Sequence, residues 1–141
     1  MTTLDLSSLK KAVKSLNASI KVAQSESEIK NFSQDAKDTI RAGVIQNFEF
    51  TYELCWKFMK RQLENELGSA YIDGVARKEL FRIAAENHLI RNTGNWMEYH
   101  DKRNETAHTY DKETAEEVFE SAIGFVKDAE ELLLNLEKRN A

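Results

Sequence analysis

The sequence has no proline, one cysteine and five glycines in 141 residues. Without proline, and with so few glycines, it is short of the residues that punctuate sheets and tight turns, which leaves a helical reading. A single thiol, Cys55, excludes an internal disulfide, and its neighbours Leu54 and Trp56 imply burial. No apolar run approaches the roughly 18 residues of a membrane span. The segment Met1-Thr2-Thr3-Leu4-Asp5 lacks the basic and apolar regions of a signal peptide. A cytoplasmic location is therefore expected, with the sequons at Asn17 and Asn104 as accidents. His88, His100 and His108 stand 12 and 8 residues apart with no cysteine beside them, so no zinc site and no cofactor are expected.

Net charge is −4, which argues against a protein that coats nucleic acid non-specifically. The charge is uneven. Between Arg77 and His108 six Lys/Arg face five acids, whereas from Asp111 onward nine acids face four bases. An anionic substrate is expected to meet the middle of the chain, and the C-terminal helix to face solvent or a basic partner.

Apolar spacing of three and four predicts helices. The first runs from about Asp5 to Gln24, with Leu9, Val13, Leu16 and Ile20 on one stripe. Ser25 to Ser33 is a polar connection, and Ser33 or Asp35 is a candidate cap for a long helix reaching Leu67. In the middle of that helix Phe48, Phe50, Tyr52, Leu54, Cys55, Trp56, Phe58 and Met59 surround the axis. A helix apolar all round is buried on more than one side, and the second surface is expected to be another copy of the chain. Gly68 to Gly74 reads as a loop or lid, and Val75 to Asn87 as a third helix. Asn92-Thr93-Gly94 reads as a turn before a short helix from Trp96 to about Ala107. Asp111 is the expected cap of a last helix carrying Ala115, Val118, Ala122, Phe125, Ala129, Leu132 and Leu136. The fold expected is all-α: residues 1–141 as one domain, an antiparallel four- to five-helix up-and-down bundle that forms a homodimer.

Residues 103–110 read Arg-Asn-Glu-Thr-Ala-His-Thr-Tyr. Arginine stays charged and matches phosphate oxygens with a fork of donors. Histidine both accepts and donates a proton near neutrality. Together they suit metal-independent RNA cleavage. On an ideal helix Asn104 and His108 share a face, but Arg103 and His108 lie about 140° apart. Either the helix loosens near His108, or the working pair forms across a two-fold interface. The competing expectation is structural, with Arg103 paired to Glu98 or Asp101 and His108 favouring a helix C-terminus. Glu49 and Glu53, one turn apart among aromatics, are solvated, or salt-bridged to Arg103, or catalytic. Trp96 and Tyr99 are either core residues or platforms for a base.

The pattern Arg103-Asn104-x3-His108-x-Tyr110-Asp111 resembles the signature of HEPN-domain ribonucleases. With the aromatic segment Phe48 to Lys57 upstream, it resembles in particular the nucleotidyltransferase substrate-binding proteins. The resemblance implies a toxin that pairs with a separate minimal nucleotidyltransferase. In that role His108 would activate the ribose 2′-OH or protonate the leaving oxygen, and Arg103 would stabilise charge on the phosphate. Asn104 would orient His108 or the substrate. Tyr110 falls at the position that partner enzymes modify with AMP. The alternative it implies is a non-catalytic substrate-binding subunit of a two-chain nucleotidyltransferase. The chain itself is not expected to transfer nucleotides, since Gly68-Ser69 has no following Asp-x-Asp and there is no Gly-rich phosphate loop.

Overall fold

The structure, a computed structural model, describes residues 3–141. The helices are α1 Ser7–Gln24, α2 Glu26–Ile29, α3 Gln34–Leu67, α4 Ser69–Ile72, α5 Arg77–Glu86, α6 Thr93–Asn104 and α7 Lys112–Arg139, with a 3₁₀ turn at Glu105–His108. No strand occurs among the described residues. The all-α bundle expected from the spacing is the fold observed. No helix among the described residues is long and apolar enough to cross a membrane.

Side-chain caps fix the starts of the two longest helices. Ser33 Oγ accepts from Ala36 N at 3.1 Å and starts α3, and Asp111 Oδ2 accepts from Thr114 N at 3.0 Å and starts α7. Asn92 is a third cap, accepting from Asn95 N at 2.8 Å. The Asn92-Thr93-Gly94 segment is thus the beginning of α6 and not a turn ahead of it, because the carboxamide satisfies a free N–H of the first helical turn.

Long-range polar pairs give the helix directions. Leu4 N donates to Asn140 Oδ1, so the start of α1 meets the end of α7. Arg41–Glu116 joins the starts of α3 and α7, and Arg139–Glu66 (2.8 Å) joins their ends. Arg91–Glu131 and Lys102–Glu117 run α6 against α7 in the opposite sense. Helices α1, α3, α6 and α7 therefore alternate up and down, with α5 packed beside α6.

Phe125 of α7 is the hub of the core. Its ring lies 5.1 Å from Phe48, 5.1 Å from Tyr99, 5.7 Å from Trp96 and 6.3 Å from Tyr52. Edge-on pairs of this kind add about 0.5–1.5 kcal/mol each beyond the area they bury. Trp96 and Tyr99 are thereby core residues, and the alternative of base-stacking platforms is set aside. Cys55 is buried as its neighbours imply, and burial pushes its thiol pKa up.

Two sequence expectations change. Helix α3 sits in the middle of the bundle and touches α1, α4, α5, α6 and α7, so the chain's own helices cover most of its wrap-around apolar surface. Phe48, Tyr52, Cys55, Phe58 and Met59 are buried, Leu54 and Trp56 half-buried, and only Phe50 of that set is exposed, at 58%. The Gly68 to Gly74 segment is also no lid. Glycines at φ +96° and +79° bracket the single turn α4, whose Ile72 is fully buried.

Candidate functional site

The polar cluster lies where α3, α5, α6 and the 3₁₀ turn meet, and Glu53 is its centre. Glu53 Oε1 accepts from Arg103 Nε at 2.8 Å, and its Oε2 is 3.5 Å from Arg77 Nη2. Glu49, one turn earlier, lies 3.7 Å from Arg103 Nη2. Of the readings left open by the sequence, the salt bridge to Arg103 is the one observed. The expected pairing of Arg103 with Glu98 or Asp101 is not, because α6 turns Arg103 inward against α3. Both partners remain about a third exposed, at 32% and 39%. Arg103 is therefore fastened through Nε, while Nη1 has no partner among the described residues.

Arg77, the first residue of α5, completes this wall. Its guanidinium stacks 4.3 Å from the Trp56 ring and donates to Tyr52 Oη at 3.2 Å. Tyr52 Oη also pairs with His100 Nδ1 at 2.9 Å. Burial pushes the Tyr52 phenol up to about 12, although the Arg77 hydrogen bond opposes the rise. Burial, followed by the Arg77 charge, pulls His100 below its ordinary value of 6.5 and favours the neutral ring. His100 Nε2 is 3.4 Å from Asn104 Nδ2. Asn104 thus faces His100, one helical turn back, and not His108.

The change from α-helix to 3₁₀ after Asn104 has a local cause. Thr106 Oγ1 donates to the Arg103 carbonyl at 2.8 Å, and Thr109 Oγ1 to the Thr106 carbonyl at 3.1 Å. Such short-range side-chain bonds compete with the α-helical ladder. Thr106 Oγ1 also lies 2.8 Å from Glu49 Oε2, which ties the turn to α3. The helix therefore tightens near His108, where loosening was one of the two expectations. By the 3.6- and 3.0-residue repeats, Arg103 and His108 end about 160° apart. Arg103 points in and His108 points out, and the two side chains do not meet. The exposed His108 ring meets Tyr110 edge-on at 6.1 Å, and Tyr110 is 87% exposed. No group of three or more His, Cys, Asp or Glu among the described residues converges as a metal site.

Sequence reasoning missed four members of this cluster: Tyr52, Arg77, His100 and Thr106. For His100 the signal was present, since it stands four residues before Asn104 and shares its face. For Arg77, 24 residues from Glu53, no spacing rule applies.

The family model for nucleotidyltransferase substrate binding protein like chains matches residues 4–138. The chain belongs to that family. A Haemophilus influenzae relative, described as a probable ribonuclease HepT, is 41% identical over 105 residues, which cover 74% of this chain and 72% of the relative. A solved Haemophilus influenzae structure, described as the fold of a substrate binding domain of a nucleotidyltransferase, superposes with a TM-score of 0.91. It is 34% identical and covers 94% of this chain and 99% of its own. A Thermus thermophilus structure gives 0.73 at 26% identity, covering 91% and 98%.

Proposed function

We propose that this family member is the toxin of a two-gene module, a metal-independent endoribonuclease neutralised by a partner nucleotidyltransferase. The reaction moves the ribose 2′-OH proton to a base, forms the 2′-oxygen–phosphorus bond and expels the 5′-oxygen, leaving a 2′,3′-cyclic phosphate. His108 takes the first proton or supplies the one the 5′-oxygen needs, a contribution of about 10²–10⁴-fold. Arg103 stabilises charge on the phosphate, and Asn104 orients the substrate.

The observation that carries this reading is the state of Arg103. Its Nε is anchored on Glu53 and its Nη2 lies 3.7 Å from Glu49, while Nη1 has no partner among the described residues, so the guanidinium is held in place with one edge left for a phosphate. The relative described as a ribonuclease supports the same reading.

A homodimer belongs to this proposal. No hydrogen bond joins Arg103 and His108 within one chain among the described residues, and a two-fold interface would let Arg103 of one copy and His108 of the other share a phosphate. Phe50, exposed and one turn before Glu53 on α3, is an apolar residue available to such an interface. Light scattering of wild type and Phe50→Glu tests it, and a wild-type monomer at micromolar concentration would remove the composite site.

Neutralisation proceeds by attachment of AMP to Tyr110, whose ring stands beside His108. Co-expression with the partner should add AMP mass to wild type and not to Tyr110→Phe. Toxicity should vanish in Arg103→Ala and His108→Ala without any partner. The second reading, a non-catalytic subunit that presents substrate to a nucleotidyltransferase, is favoured by the description of the structural relative. Alanine variants as toxic as wild type would select it.

A further inference from the structure

A cavity of about 580 Å³ opens where the first turns of α3 and α7 meet the end of α1 and the short α2. That volume lies within the range of small-molecule sites, about 300–1,000 Å³. Its lining mixes the apolar Ile29, Ile45 and Ala115 with the charged Lys37, Arg41 and Lys112. Thr109 and Tyr110, the two residues that follow His108, are also in the lining.

The charges in this lining do not cancel. Arg41 is ion-paired to Glu116 and held 4.6 Å over the Phe119 ring, so it is fixed and neutralised. Asp38, the other acid in the lining, accepts from Gln34 Nε2 at 2.8 Å and keeps its charge, so the three cations of the lining exceed its two acids by one. Lys37 and Lys112 line the cavity and have no ion-pair partner among the described residues. A cavity that sets apolar side chains beside two unpaired ammonium groups suits a flat heterocycle that carries a phosphate.

We propose that the cavity is a seat for an adenylate, and that it holds the AMP unit joined to Tyr110. This rests on the reading of Tyr110 as the modified residue. In the joining step Tyr110 Oη attacks the α-phosphorus of ATP bound by the partner enzyme. The Oη–phosphorus bond forms, the bond from that phosphorus to the pyrophosphate oxygen breaks, and the phenolic proton goes to solvent. Pyrophosphate leaves with the bonding pair.

The seat answers a physical difficulty. Tyr110 is 87% exposed and its ring meets the edge of His108, so a diester on it would swing freely and cover His108 only part of the time. With the nucleoside in the slot and the phosphate between Lys37 and Lys112, the modified side chain stays across His108.

Two measurements separate the seat from the reading it rests on. The unmodified full chain is titrated with AMP while the isoleucine methyl signals are followed by NMR. Ile29 and Ile45 should shift saturably, and Lys37→Ala combined with Lys112→Ala should weaken AMP about tenfold or more while leaving adenosine almost unchanged. Stationary Ile29 and Ile45 signals, or equal AMP binding by the double variant, would overturn the seat. In protein that has gained the AMP mass, the double variant should lose AMP to a phosphodiesterase about ten times faster than wild type, and equal rates would overturn the seat as well. If co-expression adds no mass, the Tyr110 reading fails, and the AMP titration alone decides the cavity.

Discussion

Glu53→Gln isolates what holds Arg103 in place. Glutamine keeps the length and one acceptor but removes the charge that faces Arg103 Nε at 2.8 Å and Arg77 Nη2 at 3.5 Å. A well-formed hydrogen bond to a charged group contributes about 1.5–3 kcal/mol. Both partners here are about a third exposed, and screening reduces this to about 1 kcal/mol of stability. The effect on rate should be larger than the effect on fold. A guanidinium displaced by about 1 Å from its working position costs on the order of 10²-fold. Single-turnover cleavage of a fluorophore–quencher RNA should therefore slow by about 10–100-fold, beside a urea midpoint that moves only slightly. Glu53→Asp should fall between the two. An opposite result is physically possible, because releasing Arg103 from a carboxylate frees it for a phosphate. Cleavage by Glu53→Gln that equals or exceeds wild type would show that the carboxylate restrains Arg103 without positioning it, and the reasoning would be refuted.

Phe125→Ala removes the hub of the aromatic core and should cost about 3–5 kcal/mol in urea unfolding, against a small change for the exposed Leu134→Ala. His100 has a folded pKa below its ordinary 6.5, so its contribution to stability is complete above that value and is lost as pH falls through the folded pKa. His100→Gln should flatten the acid side of the stability–pH curve, and an unchanged slope would mean that His100 titrates freely. Arg103→Lys should lose most of the activity although the charge is kept, because an ammonium group cannot hold the Glu53 carboxylate and a phosphate in one planar fork. Wild-type rates in Arg103→Lys would reduce the residue to a point charge.

Much of what depends on neighbours within one helical turn could be read from the sequence. Ser33 and Asp111 cap α3 and α7 as their types and positions imply, and the regular stripe through Phe125 is the buried face of α7. Asn92 was misread because the same carboxamide chemistry serves turns and helix starts, and the glycine two residues on favoured the turn. The wrap-around apolar middle of α3 signalled burial on several sides correctly. It did not say whose helices do the covering, since periodicity carries no information about partners. The octapeptide located Arg103, His108 and Tyr110. Their orientation depends on Thr106, whose single hydroxyl proton is shared between the Arg103 carbonyl and a carboxylate 57 residues away in sequence. The Arg77–Tyr52–His100 chain is likewise a product of packing, as α5 and α6 reach α3 only in the folded bundle.

The central claim is that Arg103 and His108 cleave RNA without a metal ion. The most direct measurement incubates a defined RNA in EDTA with wild type, Arg103→Ala and His108→Ala, and identifies the new ends by mass spectrometry. Wild type should cut and leave 2′,3′-cyclic phosphate and 5′-hydroxyl ends, and neither variant should cut, with all three showing the same helical content by circular dichroism. Cleavage that stops in EDTA, ends bearing a 5′-phosphate, or a folded His108→Ala that cuts as fast as wild type would contradict the account.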